Sequence, residues 1–147
     1  MAAALTAALA PVRHADAHGD VTPQAVDTRS LPQLGTEWRK ENPYRGNAEA
    51  VKVGASGYTQ NCARCHGLEA VSGGIAPDLR SMDKDCKGLK VETERAACLR
   101  EADDFYTTSV RRGRSQNGVY KMPPFEGVLN QEAVWAIKAY LESRPPQ

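Results

Sequence analysis

Apolar positions recur at helical spacing near both ends of the stretch from residue 47 to residue 144 and fade into polar, charged sequence between them. Ala50, Gly54, Tyr58 and Cys62 fall every four residues, which places them on one stripe of a helix. That helix should begin after Asn47, a good N-cap, with Glu49 in its first turn. Near the other end Asn130-Gln131-Glu132 caps a second helix, in which Val134, Ile137 and Leu141 stand at i, i+3 and i+7. Trp135 and Tyr140 give it aromatic bulk, and Pro145-Pro146 ends it. A third helix is expected from about Arg100 to Arg112, with Phe105, Val110 and the aliphatic part of Thr108 inward and Gly113 as its stop. No stretch alternates as a strand would, and there are no internal repeats, so the pattern predicts an all-α domain over residues 47–144. Residues 18–46, rich in Pro, Gly and charge without a sustained period, read as an extended surface arm or a partly disordered one. Gly54 costs its helix about 1 kcal/mol against alanine, a cost that makes sense where another helix crosses closely.

Composition narrows the picture. Two Phe, two Trp and five Tyr in 147 residues are few for one core of this size, so an embedded apolar group would make up missing bulk. Nineteen basic and 18 acidic residues leave a net charge of +1, which argues against nucleic-acid binding and leaves only local patches for docking. The run Met1–Ala10 followed by Ala15-Asp16-Ala17 reads as a signal peptide over residues 1–17, the alternative being an Ala-rich tail without structure. No other segment approaches the roughly twenty apolar residues of a membrane span.

The chemistry concentrates in Cys62-Ala63-Arg64-Cys65-His66. C-x-x-C-H is the attachment signature of c-type haem: two thiols three positions apart add to the two vinyl groups of one porphyrin edge, and the following imidazole becomes an axial iron ligand. A thioredoxin-like pair should follow a buried strand, but Tyr58-Thr59-Gln60-Asn61 is polar. A zinc site needs four N or S ligands, whereas Cys86 and Cys98 lie far apart with no histidine near them. That second pair most simply forms a disulfide in an oxidising compartment, enclosing a short charged segment and contributing about 3 kcal/mol in the chain-entropy picture.

The sixth iron position decides between electron transfer and ligand binding. Met1 and His14 would leave with the signal peptide, and His18 would be a flexible new terminus. Met82 is only sixteen residues past His66, in the disulfide-bearing insertion of residues 81–100, and would need a tight wrap to reach the opposite haem face. Met122 sits between a turn, Ser115-Gln116-Asn117-Gly118, and Pro123-Pro124, which hold the backbone extended. Met122 is the favoured ligand, although a methionine is ordinarily core filler.

In this order, Gly54 and Tyr58, Cys62–Gly67, Ala76-Pro77-Asp78-Leu79, a middle helix ending at Gly113, Met122-Pro123 and an aromatic last helix resemble the class I cytochromes c over residues 47–144. The resemblance implies three to four helices around one covalent haem c, with the Cys86–Cys98 insertion as a departure from the minimal pattern. It implies that Gly54 faces Trp135 or Tyr140 where the first and last helices cross. It also implies that the Pro77 carbonyl accepts from the His66 ring and so sets its tautomer. Cys-Ala-Arg-Cys-His-Gly-Leu-Glu-Ala, Ser-Gly-Gly-Ile-Ala-Pro-Asp-Leu, Val-Arg-Arg-Gly-Arg and Met-Pro-Pro-Phe-Glu-Gly-Val are similar to the soluble cytochromes that accept electrons from quinoprotein (PQQ-dependent) ethanol dehydrogenases of Gram-negative bacteria. A periplasmic, monomeric one-electron carrier is the implied function, with an alcohol dehydrogenase as donor and a terminal oxidase or another cytochrome as acceptor.

The alternatives are a carrier for a methanol dehydrogenase, a haem sensor or peroxidase whose methionine dissociates, and a thiol oxidoreductase without haem. Arg111, Arg112 and Arg114 form the one evident basic cluster. It reads either as a helix end favoured by the dipole or as a surface for docking or for pairing with haem propionates.

Overall fold

The computed structural model describes residues 22–145; the signal-peptide reading of residues 1–17, the candidates Met1, His14 and His18, and Pro146 all lie outside them. Helix α1, Ala48–Asn61, starts where its cap directs: the Asn47 side chain accepts from the backbone N–H groups of Glu49 and Ala50. It runs through Cys62 into a single turn, α2, Ala63–His66, then a 3₁₀ turn, Leu68–Ala70. A second single turn, α3, Lys84–Lys87, precedes α4, Glu92–Arg112. Strands β1, Arg114–Gln116, and β2, Val119–Met122, form an antiparallel hairpin, and α5, Gln131–Ser143, closes the chain. The architecture is all-α apart from this hairpin. Asn130 caps α5 by accepting from the Ala133 N–H.

Helices α1 and α5 cross at Gly54. A Cβ built there would lie 1.9 Å from the carbonyl oxygen of Ala136, so only glycine allows this approach. The crossing is as expected, but the residue opposite is the Ala136 backbone instead of Trp135 or Tyr140. Tyr140 pairs with Tyr58 one turn along α1, ring centroids 5.3 Å apart. Trp135 is buried in a separate cluster with Leu31, Tyr44, Ala50, Ala136 and Ala139.

Three features depart from the sequence reading. Helix α4 begins eight residues earlier than Arg100, and of the expected inward residues only Val110 is buried: Asp103, Tyr106 and Thr107 join it, while Phe105 is 59% exposed and Thr108 is half-buried. The cause is a buried charge network. Lys138 of α5, fully buried, places Nζ 2.6 Å from Asp83, 3.6 Å from Glu142 and 3.9 Å from Asp103. Arg45 reaches Asp103 and Glu142, each at 2.9 Å, and the Asn42 N–H donates to Asp103 at 2.8 Å. Buried charges persist only when paired and hydrogen-bonded, and turning Asp103 inward turns Phe105 out.

The turn-rich stretch is, second, a hairpin. Asn117 and Gly118 both take positive φ, 53° and 77°, as a two-residue type I′ connection requires. Third, residues 22–46, the described part of the arm, run in an extended course that is anchored to the helices. Leu31 and Tyr44 are buried, the Gln24 N–H donates to Asn61 at 2.7 Å, and the Leu34 N–H donates to Glu132 at 2.8 Å. Burial of two large side chains is what holds an otherwise irregular segment.

Candidate functional site

The helical turn from Cys62 to His66 is closed by the N–H groups of Cys65 and His66, which both donate to the Cys62 carbonyl, at 3.1 and 2.9 Å. Positions i, i+3 and i+4 share a helix face, so this turn presents Cys62, Cys65 and His66 to one side. Both thiols are unbridged. Burial, with a smaller effect of Cys65 beside it, pushes the Cys62 thiol up to about 12. A disulfide-exchanging thiol needs the opposite shift, because the thiolate is the nucleophile. Among the described residues no group of three or more His, Cys, Asp and Glu could hold a metal ion by itself, which leaves a four-ligand zinc site without ligands.

The His66 ring is fixed from behind. Its Nδ1 lies 2.8 Å from the Pro77 carbonyl oxygen; a carbonyl only accepts, so Nδ1 carries the proton and Nε2 keeps its lone pair for an axial bond. The loop that delivers Pro77 is tied down at several points. The Tyr58 hydroxyl donates to the Gly67 carbonyl at 2.7 Å, the Ser72 hydroxyl to the Ala76 carbonyl at 2.6 Å, and the Leu79 N–H to the Ala70 carbonyl at 3.4 Å. Gly67 (φ 83°) admits no side chain, since a Cβ would lie 1.8 Å from the Val71 oxygen. Asp78 and Arg80 clip the far end at 2.7 Å; the hydrogen bond from the Arg80 side chain holds the Asp78 carboxyl down to about 2.

Met122 closes β2 and packs, half-buried, against the same core cluster as Cys62. Its backbone is clamped to the end of α4: a Cβ on Gly113 would lie 2.4 Å from the Met122 oxygen and 2.8 Å from the Pro124 nitrogen, and the Phe125 N–H donates to the Val110 carbonyl at 3.0 Å. Met82 packs against that cluster too, so the structure brings both sequence candidates to the same core.

These residues fit a covalently held porphyrin. Two unpaired thiols share one turn, one imidazole nitrogen is committed and the other free, and apolar Leu68, Val71 and Ile75 beside them stand 75%, 40% and 79% exposed, an apolar surface of the kind that marks a binding site.

Cys86 and Cys98 form a disulfide that joins α3 to α4, with Cα atoms 5.5 Å apart. The arginine triplet divides. Arg111 is engaged: it pairs with Glu126, and its guanidinium sits 4.3 Å over the ring of Trp38. Arg114 lies 4.3 Å over the exposed Phe105 ring, and Arg112 is exposed. Sequence reasoning missed Trp38, the Tyr58 hydroxyl and the Asp78–Arg80 clip; for the last, the acid-x-base spacing was the available signal.

Comparison with known proteins follows the same lines. Residues 49–141 match the family model described as cytochrome C oxidase, cbb3-type, subunit III. The chain is 49% identical over 131 residues to cytochrome c550 of Pseudomonas aeruginosa, covering 86% of this chain and 81% of that protein. It is 30% identical over 95 residues to the quinohemoprotein alcohol dehydrogenase ADH-IIG of Pseudomonas putida (65% of this chain, 11% of that one). To the quinohemoprotein alcohol dehydrogenase ADH IIB of the same species it is 29% identical over 106 residues (72% and 13%). No solved structure matches.

Proposed function

Because the chain belongs to the c-type cytochromes, electron-transfer proteins with covalently bound haem c, we propose that it works in the periplasm, taking single electrons from a PQQ-dependent alcohol dehydrogenase and passing them towards a terminal oxidase or another cytochrome. The observation that carries this reading is the fixed turn Cys62–His66 with its imidazole locked by Pro77. When bound, haem c supplies an iron centre that takes up and returns one electron.

Each residue then has a role. Cys62 and Cys65 would hold the haem through their thiols, and His66 would bind its iron through Nε2. The Pro77 carbonyl keeps the proton on Nδ1 and holds the imidazole in one orientation. Met122, on a strand end that Gly113 and Pro123-Pro124 keep in place, would offer its thioether to the same group. A rigid ligand set suits electron transfer, where little reorganisation is wanted, and a thioether favours a higher potential than a second imidazole. Tyr58 and the Asp78–Arg80 clip hold the loop between the two halves of the site. Residues 47–144 form the cytochrome unit and residues 1–17 a signal peptide. No described helix is long and apolar enough to cross a membrane. The carrier is read as a monomer that diffuses between its partners.

The donor reading draws on the likeness to segments of two proteins named quinohemoprotein alcohol dehydrogenases, of whose length the matched region spans about a tenth. Mixing the oxidised protein with such a dehydrogenase and its alcohol should reduce it, seen as growth of the ferrous haem spectrum. No reduction by any quinoprotein alcohol dehydrogenase would remove the donor and leave the carrier.

A further inference from the structure

From Phe105 to Phe125 the chain carries Arg111, Arg112, Arg114 and Lys121 and not one carboxylate. Arg111 is held by Glu126 and Trp38, which leaves Arg112, Arg114 and Lys121 exposed. The same short segment leaves three large apolar side chains open: Phe105 at 59%, Val119 at 59% and Tyr120 at 61%. Single exposed apolar residues need no explanation, but three of them interleaved with three cations on one hairpin and the adjoining helix do.

Their geometry is ordered. Arg114 lies across the Phe105 ring, and in the β1–β2 ladder it stands opposite Met122, while Ser115 stands opposite Tyr120 and Gln116 opposite Val119. Stacking on Phe105 restrains a side chain that would otherwise lose rotamer freedom on binding. The hairpin and the end of α4 therefore place a restrained arginine stacked on an aromatic ring, residue types that dominate binding hot spots, beside the strand end that carries the candidate axial ligand.

We propose that the β1–β2 hairpin with Phe105 is a docking face for an acidic protein surface with an apolar centre, that of the alcohol dehydrogenase; the proposal rests on the donor reading above. Arg112, Arg114 and Lys121 steer the encounter, and Phe105 with Val119, which lies on the Arg114 face of the ribbon, excludes water at its centre, while Tyr120 lies on the opposite face. Arg111, part of the sequence-predicted cluster, does not take part. A protein is favoured over an anionic lipid surface because the patch adjoins Met122, where a redox partner gains by approaching.

The test is stopped-flow reduction of the holoprotein by a quinoprotein alcohol dehydrogenase at low and high salt. The variants are the triple Arg112→Gln/Arg114→Gln/Lys121→Gln, Phe105→Ser, and Phe105→Leu in case Phe105→Ser is poorly folded. The triple variant should react roughly tenfold more slowly at low salt and lose most of its salt dependence. Phe105→Ser should slow the reaction at every salt concentration, and Phe105→Leu should do so less. Visible spectra and reduction by dithionite should match the parent in all three. A parent that is reduced quickly, with variants that keep its rate and salt dependence, overturns the docking face and spares the donor. A parent that the dehydrogenase cannot reduce removes the donor and this face with it. Sedimentation of the parent, but not the triple variant, with phosphatidylglycerol vesicles, together with indifferent reduction rates, overturns the proposal in favour of a membrane surface.

Discussion

The Nδ1 of His66 lies 2.8 Å from the carbonyl oxygen of Pro77, eleven residues along the chain. The acceptor is a backbone atom, so its chemistry does not depend on the proline side chain, only its placement does. Pro77→Ala should therefore keep the hydrogen bond and the axial histidine while costing about 0.4–1 kcal/mol through a freer unfolded chain. Urea denaturation followed in the visible region reads both. A variant that loses its axial histidine would mean that the ring itself, and not the carbonyl, positions His66.

Gly54→Ala should cost at least about 1–3 kcal/mol, since the new Cβ meets the Ala136 carbonyl at 1.9 Å and backbone cannot swing aside as a side chain can. Gly57→Ala is the control. There a Cβ meets the Ile137 and Val26 side chains at 3.1 Å, which can give by a few tenths of an ångström. Equal losses in urea melts would show that helix crossing at Gly54 is not the tight point.

Lys138→Met should destabilise by about 3–5 kcal/mol, because it strands the buried carboxylate of Asp83, whose only side-chain partner among the described residues is Lys138, while Asp103 keeps Arg45 and the Asn42 N–H. Adding Asp83→Leu to Lys138→Met should recover part of the loss by removing one stranded charge. A double variant no more stable than the single would mean that Asp83 keeps another partner.

Acid stability should depend on Asp78. Its carboxyl is held at about 2 against 3.8 when unperturbed, chiefly by the Arg80 side-chain hydrogen bond. Between those values the unfolded chain binds the proton and the folded one does not, so stability falls as pH falls from above 4 towards 2. Asp78→Asn should melt below the parent near pH 6 and converge with it near pH 2. Parallel melting curves across that range would mean that the clip contributes nothing through its charge.

Much of this was legible in the residues, for local physical reasons. Asn47 and Asn130 cap the helices they were expected to cap, because capping depends on one side chain and the next three amides. The Cys86–Cys98 bridge was expected as the one cysteine pair outside the C-x-x-C-H motif, and the helical turn at that motif follows from its local spacing. What escaped were effects of tertiary charge and of isolated anchors. The inward face of α4 is set by Asp103 meeting Lys138 and Arg45, partners 35 residues later and 58 earlier, and no periodicity within α4 reports them. The arm's anchors, Leu31 and Tyr44, stand too far apart to make a pattern. The hairpin did have a signal in Asn117-Gly118 between Gln116 and Val119, but strands of three and four residues are too short for alternation to be seen.

A potentiometric titration of the holoprotein, followed by its visible spectrum, reads the proposed one-electron carrier and its ligation by His66 and Met122 together. The parent should titrate as a single one-electron wave, Met122→His should stay six-coordinate with a lower potential because imidazole favours ferric iron more than a thioether does, and Met82→Ala should leave the potential in place. A potential that moves for Met82→Ala and stays put for Met122→His would transfer the axial bond to the insertion and contradict the account.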